Sequence, residues 1–187
     1  MLLFALEVAR REPAVKRLAL YEAPFIVDDS RPPIPRGYAT NLARFVAEDR
    51  RGDAVKLFLR QVGAPATFVG LMPLLPVWAK LKAVAHTLPY DAAIVGEYQT
   101  GEPLPAARWA FLKMSSLVVD GGKSPAWFHA GAQALADALL NAELRVLEGQ
   151  THNVKAKALA PLPRKFFRDE ATAAEQSGES IASGSRS

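Results

Sequence analysis

The segment between Ser115 and Gly149 places the strongest constraint on the fold. It reads SSLVVDGG, then WFHAGAQALADALL, then ELRVLEG. The first and third stretches are short apolar runs ended by glycine, and the middle stretch repeats apolar residues at helical spacing. A strand, a helix and a second strand in succession predict two parallel strands joined by a helical crossover. This part of the chain therefore predicts a parallel sheet covered by helices.

A helix and a strand are also predicted at the start of the chain. Residues 2–11 carry apolar side chains nearly all around a helix, which predicts a helix buried on most sides. Pro13 ends it, and the short apolar run of residues 18–21 predicts a buried strand of the same sheet over residues 15–21. Together with the later strands, this order predicts the α/β fold class.

The middle of the chain shows only helices and loops, punctuated by prolines. Leu42, Phe45 and Val46 form the apolar stripe of one helix. Asp53 is a suitable N-cap for a second helix, and residues 77–88 carry the pattern of a third.

These patterns predict a core and an insertion. Residues 1–25 and 110–168 form the α/β core, and residues 26–109 form an inserted helical cap. Residues 169–187 contain a single large aliphatic side chain and are rich in serine, glycine, alanine and glutamate. Such a segment buries too little apolar surface to offset its ordering entropy, so we expect a disordered tail.

Composition disfavours several classes of function. No stretch approaches the roughly 18 consecutive apolar residues of a membrane span. The chain has no cysteine, which is typical of a reducing cytoplasm. The net charge is +4, and the basic residues are scattered, as on a solvated surface rather than a nucleic-acid-binding face. His86, His129 and His152 are far apart in sequence, so we expect no metal site and no cofactor.

Four segments taken together resemble the α/β-hydrolase superfamily. They are LALYEAPF, AVAHTLPYD, LVVDGGKSPAW and LEGQTH, in this order along the chain. The resemblance is in particular to small bacterial serine-type hydrolases with a helical cap, and it runs over roughly residues 2–167. It implies a partial α/β-hydrolase fold whose last three parallel strands are neighbours. It also implies a catalytic triad in the chain order nucleophile, acid, histidine.

The resemblance implies that His152 is the catalytic base. This histidine follows the final strand, in the segment GQTH, and precedes the final helix. In the family such a histidine removes the proton of the nucleophile and later donates it to the leaving group. Without the surrounding match, a lone loop histidine would be read as an ordinary structural residue.

The resemblance leaves the acid open between two strand ends. Many members carry an aspartate in the turn after the strand LVVDGG, where this chain has Ser124, and a hydroxyl cannot hold a negative charge against an imidazolium. Relatives of the haloalkane dehalogenases place the acid at the end of the preceding strand, and Glu22 matches that position. We expect Glu22 to be the acid, with Asp120 in reserve. The alternative is that Glu22 is a strand-end carboxylate with a surface or backbone contact.

The nucleophile of the family is missing from the sequence. Ser124 stands between a strand and a helix, but Pro125 after it has no N–H to donate to an oxyanion. Ser124 also follows Glu22, which is the wrong order for the family. Gly-x-Ser-x-Gly occurs nowhere, although the family would place it immediately before the helix at residues 2–11. We expect that the true gene product begins upstream of Met1.

Aromatic residues of the insertion are candidates for a substrate pocket. Trp78, His86, Tyr90 and Trp109 would line an acyl or aromatic pocket if the insertion acts as the family's caps do. Aromatic side chains at helical spacing also serve as plain core, so both interpretations stay open. The substrate of the full-length form is expected to be a small ester-like molecule, and the sequence does not name it.

The strand at residues 15–21 is expected to have an open edge. In the family sheet it would pair with the nucleophile strand, and natural proteins avoid leaving such an apolar edge free. The edge would pair with a second copy or with a separate chain that supplies the other half, or the chain would fold poorly. Two functions remain: a serine-type hydrolase that is inactive as this chain alone, or a non-catalytic remnant that acts as a binding or interaction module.

Overall fold

The computed structural model of the protein describes residues 2–168. The chain divides into two compact units. We call the first the sheet unit, formed by Met1–Ser30 and Pro103–Ser187, and the second the helical unit, formed by Arg31–Glu102. The expected tail at residues 169–187 lies outside the described residues.

The sheet unit is built on three parallel strands. They are β1 (Arg17–Tyr21), β2 (Ser115–Gly121) and β3 (Ala142–Leu147), and β2 lies in the middle. Tyr21 is level with Val119 of β2, and Gly121 is level with Leu147 of β3, so all three strands end at the same edge of the sheet. The predicted α/β class, with the three strands as neighbours, is confirmed.

The middle strand is the most deeply buried of the three. Every residue of β2 after Ser115 is buried, as in parallel strands that are covered on both faces. Helix α7 (Ala126–Ala138) connects β2 to β3 and buries the face that holds Phe128, Gly131 and Leu135. A Cβ atom at Gly131 would lie 2.9 Å from two carbonyl oxygens of the segment after β1, so this glycine allows α7 to approach the backbone closely.

Helix α1 (Leu2–Arg11) has one buried face, and the prediction that it is buried on most sides is wrong. Leu3, Leu6 and Ala9 are buried at helical spacing. Phe4 is 62% exposed, and Val8, one turn further along the helix, is 38% exposed. The described residues therefore leave an apolar stripe of α1 in contact with solvent.

The closing helix is split into two pieces. Helix α8 (Ala156–Leu159) ends near Ala160, and residues 161–168 are helical again. Pro161 begins the second piece, where a missing backbone N–H costs nothing because the first N–H groups of a helix have no partner in it. The same proline cannot continue α8, which explains the break.

The helical unit consists of short helices joined by turns. They are α2 (Tyr38–Ala47), α3 (Arg51–Gln61), α4 (Ala66–Leu71), α5 (Val77–Val84) and α6 (Leu88–Val95). Leu42 is buried together with Tyr38 and Ala54, and Phe45 and Val46 pack against this cluster. The predicted third helix over residues 77–88 is shorter than expected, because a 3₁₀ turn at Ala85–Thr87 separates α5 from α6.

Helix α3 begins before the residue that was expected to cap it. Its N-cap is Arg50, so Asp53 lies in the first turn of the helix and the prediction of an Asp53 cap is wrong. The carboxylate of Asp53 is 2.8 Å from the guanidinium of Arg50 and is used in this ion pair. A negative charge in the first turn still stabilises the positive end of the helix.

No single helix within residues 2–168 is long and apolar enough to cross a membrane. The stretches Ala66–Leu74 and Val77–Tyr98 reach the length and composition only when taken together, and the break between them is bent by 101°.

Candidate active site

Glu22 leaves the end of β1 in an unusual backbone conformation. Its φ angle is +44°, in the left-handed region that a residue with a side chain adopts only at a cost of about 1–3 kcal/mol. Its backbone N–H donates to the carbonyl oxygen of Val119 at 2.9 Å, and its carboxylate is completely buried. The chain thus turns away from the sheet directly after β1 and places a carboxylate beside the end of β2.

The Oε1 atom of Glu22 is held by two donors from the turn after β2. The backbone N–H of Gly121 donates to it at 3.1 Å, and the hydroxyl of Ser124 donates to it as well. A Cβ atom at position 121 would lie 2.6 Å from this oxygen and 2.9 Å from the carbonyl oxygen of Gln150. Glycine is therefore the residue that leaves room for the buried carboxylate. The Ser124 hydroxyl serves as a donor to this acid.

The Oε2 atom of Glu22 accepts a hydrogen bond from His152. The Nδ1 atom of His152 lies 2.9 Å from this oxygen. Because a carboxylate only accepts, the proton of the neutral imidazole is on Nδ1 and the Nε2 atom is an acceptor. The imidazole stacks on the ring of Phe128, with the centroids 5.1 Å apart and the planes 19° from parallel. The side chain of His152 is 63% exposed, although that of Glu22 is fully buried.

The loop that carries His152 is fixed to the ends of β1 and β2. The phenol of Tyr21 donates to the carbonyl oxygen of Thr151 at 2.7 Å, and the backbone N–H of Lys123 donates to the carbonyl oxygen of Gln150 at 2.8 Å. Burial, followed by the negative charge of Glu22, raises the pKa of Tyr21 from 10.0 to about 12. Tyr21 therefore stays protonated and able to donate far above neutral pH.

Asp120, the reserve candidate for the acid, is bonded to a different histidine. Its Oδ2 atom accepts a hydrogen bond from Nδ1 of His129, which lies in α7. Its Oδ1 atom is buried and has no hydrogen-bond partner among the described residues. The structure thus contains two carboxylate–imidazole pairs, and the pair that includes His152 uses Glu22.

Sequence reasoning singled out Glu22 and His152 and missed the residues that hold them. Tyr21, Gly121 and Phe128 were read only as parts of a strand, a turn and a helix. Tyr21 directly precedes Glu22 in the chain, and Gly121 is the last residue of the adjacent strand. These two positions were a signal that both residues lie close to Glu22. The stacking of Phe128 on His152 had no such signal, because His152 lies 24 positions after Phe128 in the chain.

The aromatic residues proposed for a substrate pocket lie in two different units. Trp109 belongs to the sheet unit, is fully buried, and stacks on Phe25 at a centroid distance of 6.0 Å. Trp78 and His86 belong to the helical unit. His86 is exposed, and its Nδ1 atom is 3.0 Å from the carbonyl oxygen of Ala83, a contact local to its own helix.

The arrangement joins an exposed imidazole to a buried carboxylate. Among residues 2–168, the imidazole of His152 makes its hydrogen bond to Glu22 through Nδ1. In the same range, no three histidine, aspartate or glutamate side chains come together as a metal-ion site. The pair can therefore accept a proton from a group that reaches it and can return that proton later.

Comparison with solved structures gives one relative of high similarity. An α/β hydrolase from Sphaerobacter thermophilus is 45% identical to this chain with a TM-score of 0.74, and the match covers 88% of this chain and 63% of that one. This chain thus spans less than two thirds of the length of that relative.

Two further structures match at lower similarity. MenH from S. aureus is 18% identical with a TM-score of 0.48, covering 89% of this chain and 64% of that one. A thermophilic esterase from Thermogutta terrifontis is 16% identical with a TM-score of 0.46, covering 89% and 61%. No protein-family model matches the chain. No curated protein matches it either.

Proposed function

Because this chain belongs to the α/β-hydrolase superfamily, we propose that it is the acid- and base-bearing part of a serine-type hydrolase. In this proposal His152 is the base, Glu22 is its orienting acid, and the substrate is a small ester-like molecule. The attacking serine comes from outside the present sequence, which contains no Gly-x-Ser-x-Gly.

One observation carries this proposal. The Nδ1 atom of His152 is 2.9 Å from Oε2 of a fully buried glutamate, while the imidazole itself is largely exposed. A base needs this arrangement, with Nδ1 held by a carboxylate and Nε2 open to a reacting group.

The two ring nitrogens of His152 have different roles in the proposed reaction. Nε2 takes the proton from the serine hydroxyl as that oxygen attacks the ester carbonyl, and it then donates the proton to the leaving alcohol. The carboxylate of Glu22 stabilises the imidazolium that exists between these two transfers. Since Glu22 is buried, water does not weaken this interaction as it would at the surface.

We place the missing serine beside β1. This strand lies at one side of the sheet, with β2 as its only neighbour among the described residues. A fourth strand paired there would end at the same edge as Glu22 and His152. It could come from the same polypeptide, from a second copy or from a separate chain. The helical unit is then proposed to act as the cap that shapes the substrate pocket.

The proposal is tested by a longer protein. The coding sequence before Met1 is read in frame for a Gly-x-Ser-x-Gly, and a protein that begins there is assayed with p-nitrophenyl esters. We expect hydrolysis by the long form and its loss in a His152→Ala variant. Residues 1–187 alone should not react with a fluorophosphonate probe. Stoichiometric labelling of this chain would contradict the claim that the nucleophile lies elsewhere.

A second function is favoured by the absence of Gly-x-Ser-x-Gly. The chain would then be a non-catalytic binding module that uses the free side of β1 or its helical unit. A stop codon shortly before Met1, together with a stable and monodisperse residues 1–187, would support this function and contradict the first. Hydrolysis by the longer protein would contradict the second.

A further inference from the structure

A cleft of about 660 Å³ lies between α3 and α5 of the helical unit. Its lining includes Gly52 and Lys56 of α3 and Trp78 and Lys82 of α5. The volume is within the range of about 300–1,000 Å³ that is common for small-molecule sites. This cleft takes no part in the acid–base chemistry proposed above.

The spacing of its residues produces the shape of the cleft. Gly52 and Lys56 are one helical turn apart on α3, and Trp78 and Lys82 are one turn apart on α5, so each pair lies on one helix face. A Cβ atom at position 52 would be 3.1 Å from Cζ2 of Trp78 and 4.0 Å from Cδ of Lys82. The glycine therefore lets the indole ring and the lysine stem lie against the backbone of α3.

The charges of the cleft are only partly balanced within the protein. Arg50 is paired with Glu48 and Asp53, and Arg51 is paired with Asp49. The other two cations of the lining, Lys56 and Lys82, pair with no carboxylate in the part of the chain that the structure describes. The carboxylates of the lining are Asp49 and Asp53, which pair with the two arginines, so the four cations of the lining exceed its carboxylates by two.

The start of α3 brings the positive end of this helix to the cleft, together with the carboxylate of Asp53 in its first turn. The residues around Arg50–Gly52 line the cleft, and no side chain caps this end of the 11-residue helix. The first N–H groups of a helix carry a partial positive charge and have no acceptor inside the helix. An anion in the cleft would meet the two lysines, and a flat ring would meet the indole of Trp78.

We propose that this cleft binds a small organic dianion that carries an aromatic ring, of the class of aryl phosphate monoesters. Lys56 and Lys82 match the two negative charges of the phosphate, because ammonium groups bind phosphate as point charges. Trp78 contacts the ring, and Gly52 is required because it keeps the indole in place.

The test follows the indole N–H signals of residues 1–187 by ¹H–¹⁵N NMR while phenyl phosphate is added at constant ionic strength. We expect a saturable shift of the Trp78 signal, assigned with Trp78→Phe, and no shift of Trp127. Lys56→Gln and Lys82→Gln should each weaken binding by about threefold to fivefold, as for a solvent-accessible ion pair. Lys80→Gln, which removes an exposed lysine of α5 that does not line the cleft, should leave it unchanged.

Two further compounds test whether the charge and the ring of the proposed ligand are both needed for binding. Inorganic phosphate should bind more weakly than phenyl phosphate because it lacks the ring, and benzyl alcohol should produce no saturable shift because it lacks the charge. Gly52→Ala should weaken the binding of phenyl phosphate by displacing the indole. The proposal is overturned if phenyl phosphate gives no saturable shift below about 10 mM, or if the lysine variants bind as tightly as the parent protein. Equal affinity for inorganic phosphate would also overturn it.

Discussion

The imidazole of His152 and the carboxylate of Glu22 are joined by a 2.9 Å hydrogen bond although 130 positions separate them in the chain. The parallel sheet makes this contact possible. β1 and β2 end at the same edge, Glu22 turns toward the end of β2, and the loop after β3 returns His152 to that edge.

Glu22→Gln should strongly reduce turnover in a hydrolytically active longer form. The neutral amide can still contact Nδ1, but it cannot stabilise the imidazolium, so kcat should fall by about 10²–10⁴-fold with little change in KM. Glu143→Gln, which removes an exposed carboxylate of β3, is the matched control and should leave kcat unchanged. Near-normal turnover of Glu22→Gln would move the role to Asp120.

Ser124→Asp should partly restore activity to the Glu22→Gln variant. The hydroxyl of Ser124 already contacts Glu22, so a carboxylate at position 124 would enter the same buried space beside His152. We expect kcat of the double variant to rise by about tenfold over Glu22→Gln alone. Glu22→Gln with Ser124→Asn has the same shape without the charge and should show no rise. If kcat rose equally in both double variants, the gain would come from restored packing and not from the restored charge.

Gly121→Ala should lower the free energy of unfolding by about 1–3 kcal/mol, measured by urea denaturation. The added methyl group would lie 2.6 Å from Oε1 of Glu22 and 2.9 Å from a backbone oxygen that cannot move freely. Gly70→Ala is a suitable comparison, because a Cβ atom there meets nothing within 4 Å and alanine is the better helix former. Its stability should be unchanged or higher. If the two changes altered the free energy of unfolding equally, the claim that position 121 has no room for a side chain would be wrong.

The stability of the protein should fall as the pH rises from 10 to about 12, in part because of Tyr21. The pKa of its phenol is raised from 10.0 to about 12 in the folded protein, so the unfolded chain loses this proton first and becomes favoured. Tyr21→Phe should flatten this part of the curve and should cost about 1 kcal/mol at neutral pH through loss of the bond to Thr151.

The comparison variant for Tyr21 is Tyr90→Phe, since Tyr90 is 68% exposed. The free energy of unfolding is measured by urea denaturation at several alkaline pH values for both variants. An unchanged slope in Tyr21→Phe, or the same flattening in Tyr90→Phe, would show that Tyr21 is not the group responsible.

His129→Ala should destabilise the fold by about 1–3 kcal/mol and leave the acid–base chemistry intact. The change would remove the one hydrogen-bond partner that the described residues give the buried carboxylate of Asp120. His86→Ala removes an exposed histidine with only a local contact and should have little effect on the melting temperature. A large loss of kcat in a well-folded His129→Ala variant would assign the second pair to catalysis.

The fold could be predicted where it depends on local patterns. The runs that became β1, β2, α7 and β3 carry strand and helix periodicity in their own residues, and the expected sheet is confirmed. The burial of α1 could not be predicted, because an apolar side chain such as Phe4 is buried only if other residues cover it. The start of α3 was misjudged because Asp53 was assigned a cap role, whereas it forms an ion pair with Arg50.

Of the candidate site, only the residues that family resemblance identified could be predicted from the sequence. Nothing in the spacing of Glu22 and His152 indicates that they meet, since the contact depends on three strands ending at one edge. The need for glycine at position 121 could not be foreseen either. It depends on which side chain occupies the adjacent space, and that side chain is Glu22, which follows a different strand.

The bond between Ser124 and Glu22 has an evolutionary consequence. Positions 22 and 124 follow two neighbouring strands and their side chains meet, so a carboxylate at either position would offer a seat for one negative charge near the same imidazole. An ancestor that carried carboxylates at both seats would have tolerated the loss of either one. Such an ancestor could lose one carboxylate while the other kept the enzyme active. The acid would then have moved from one strand to the next without any loss of turnover.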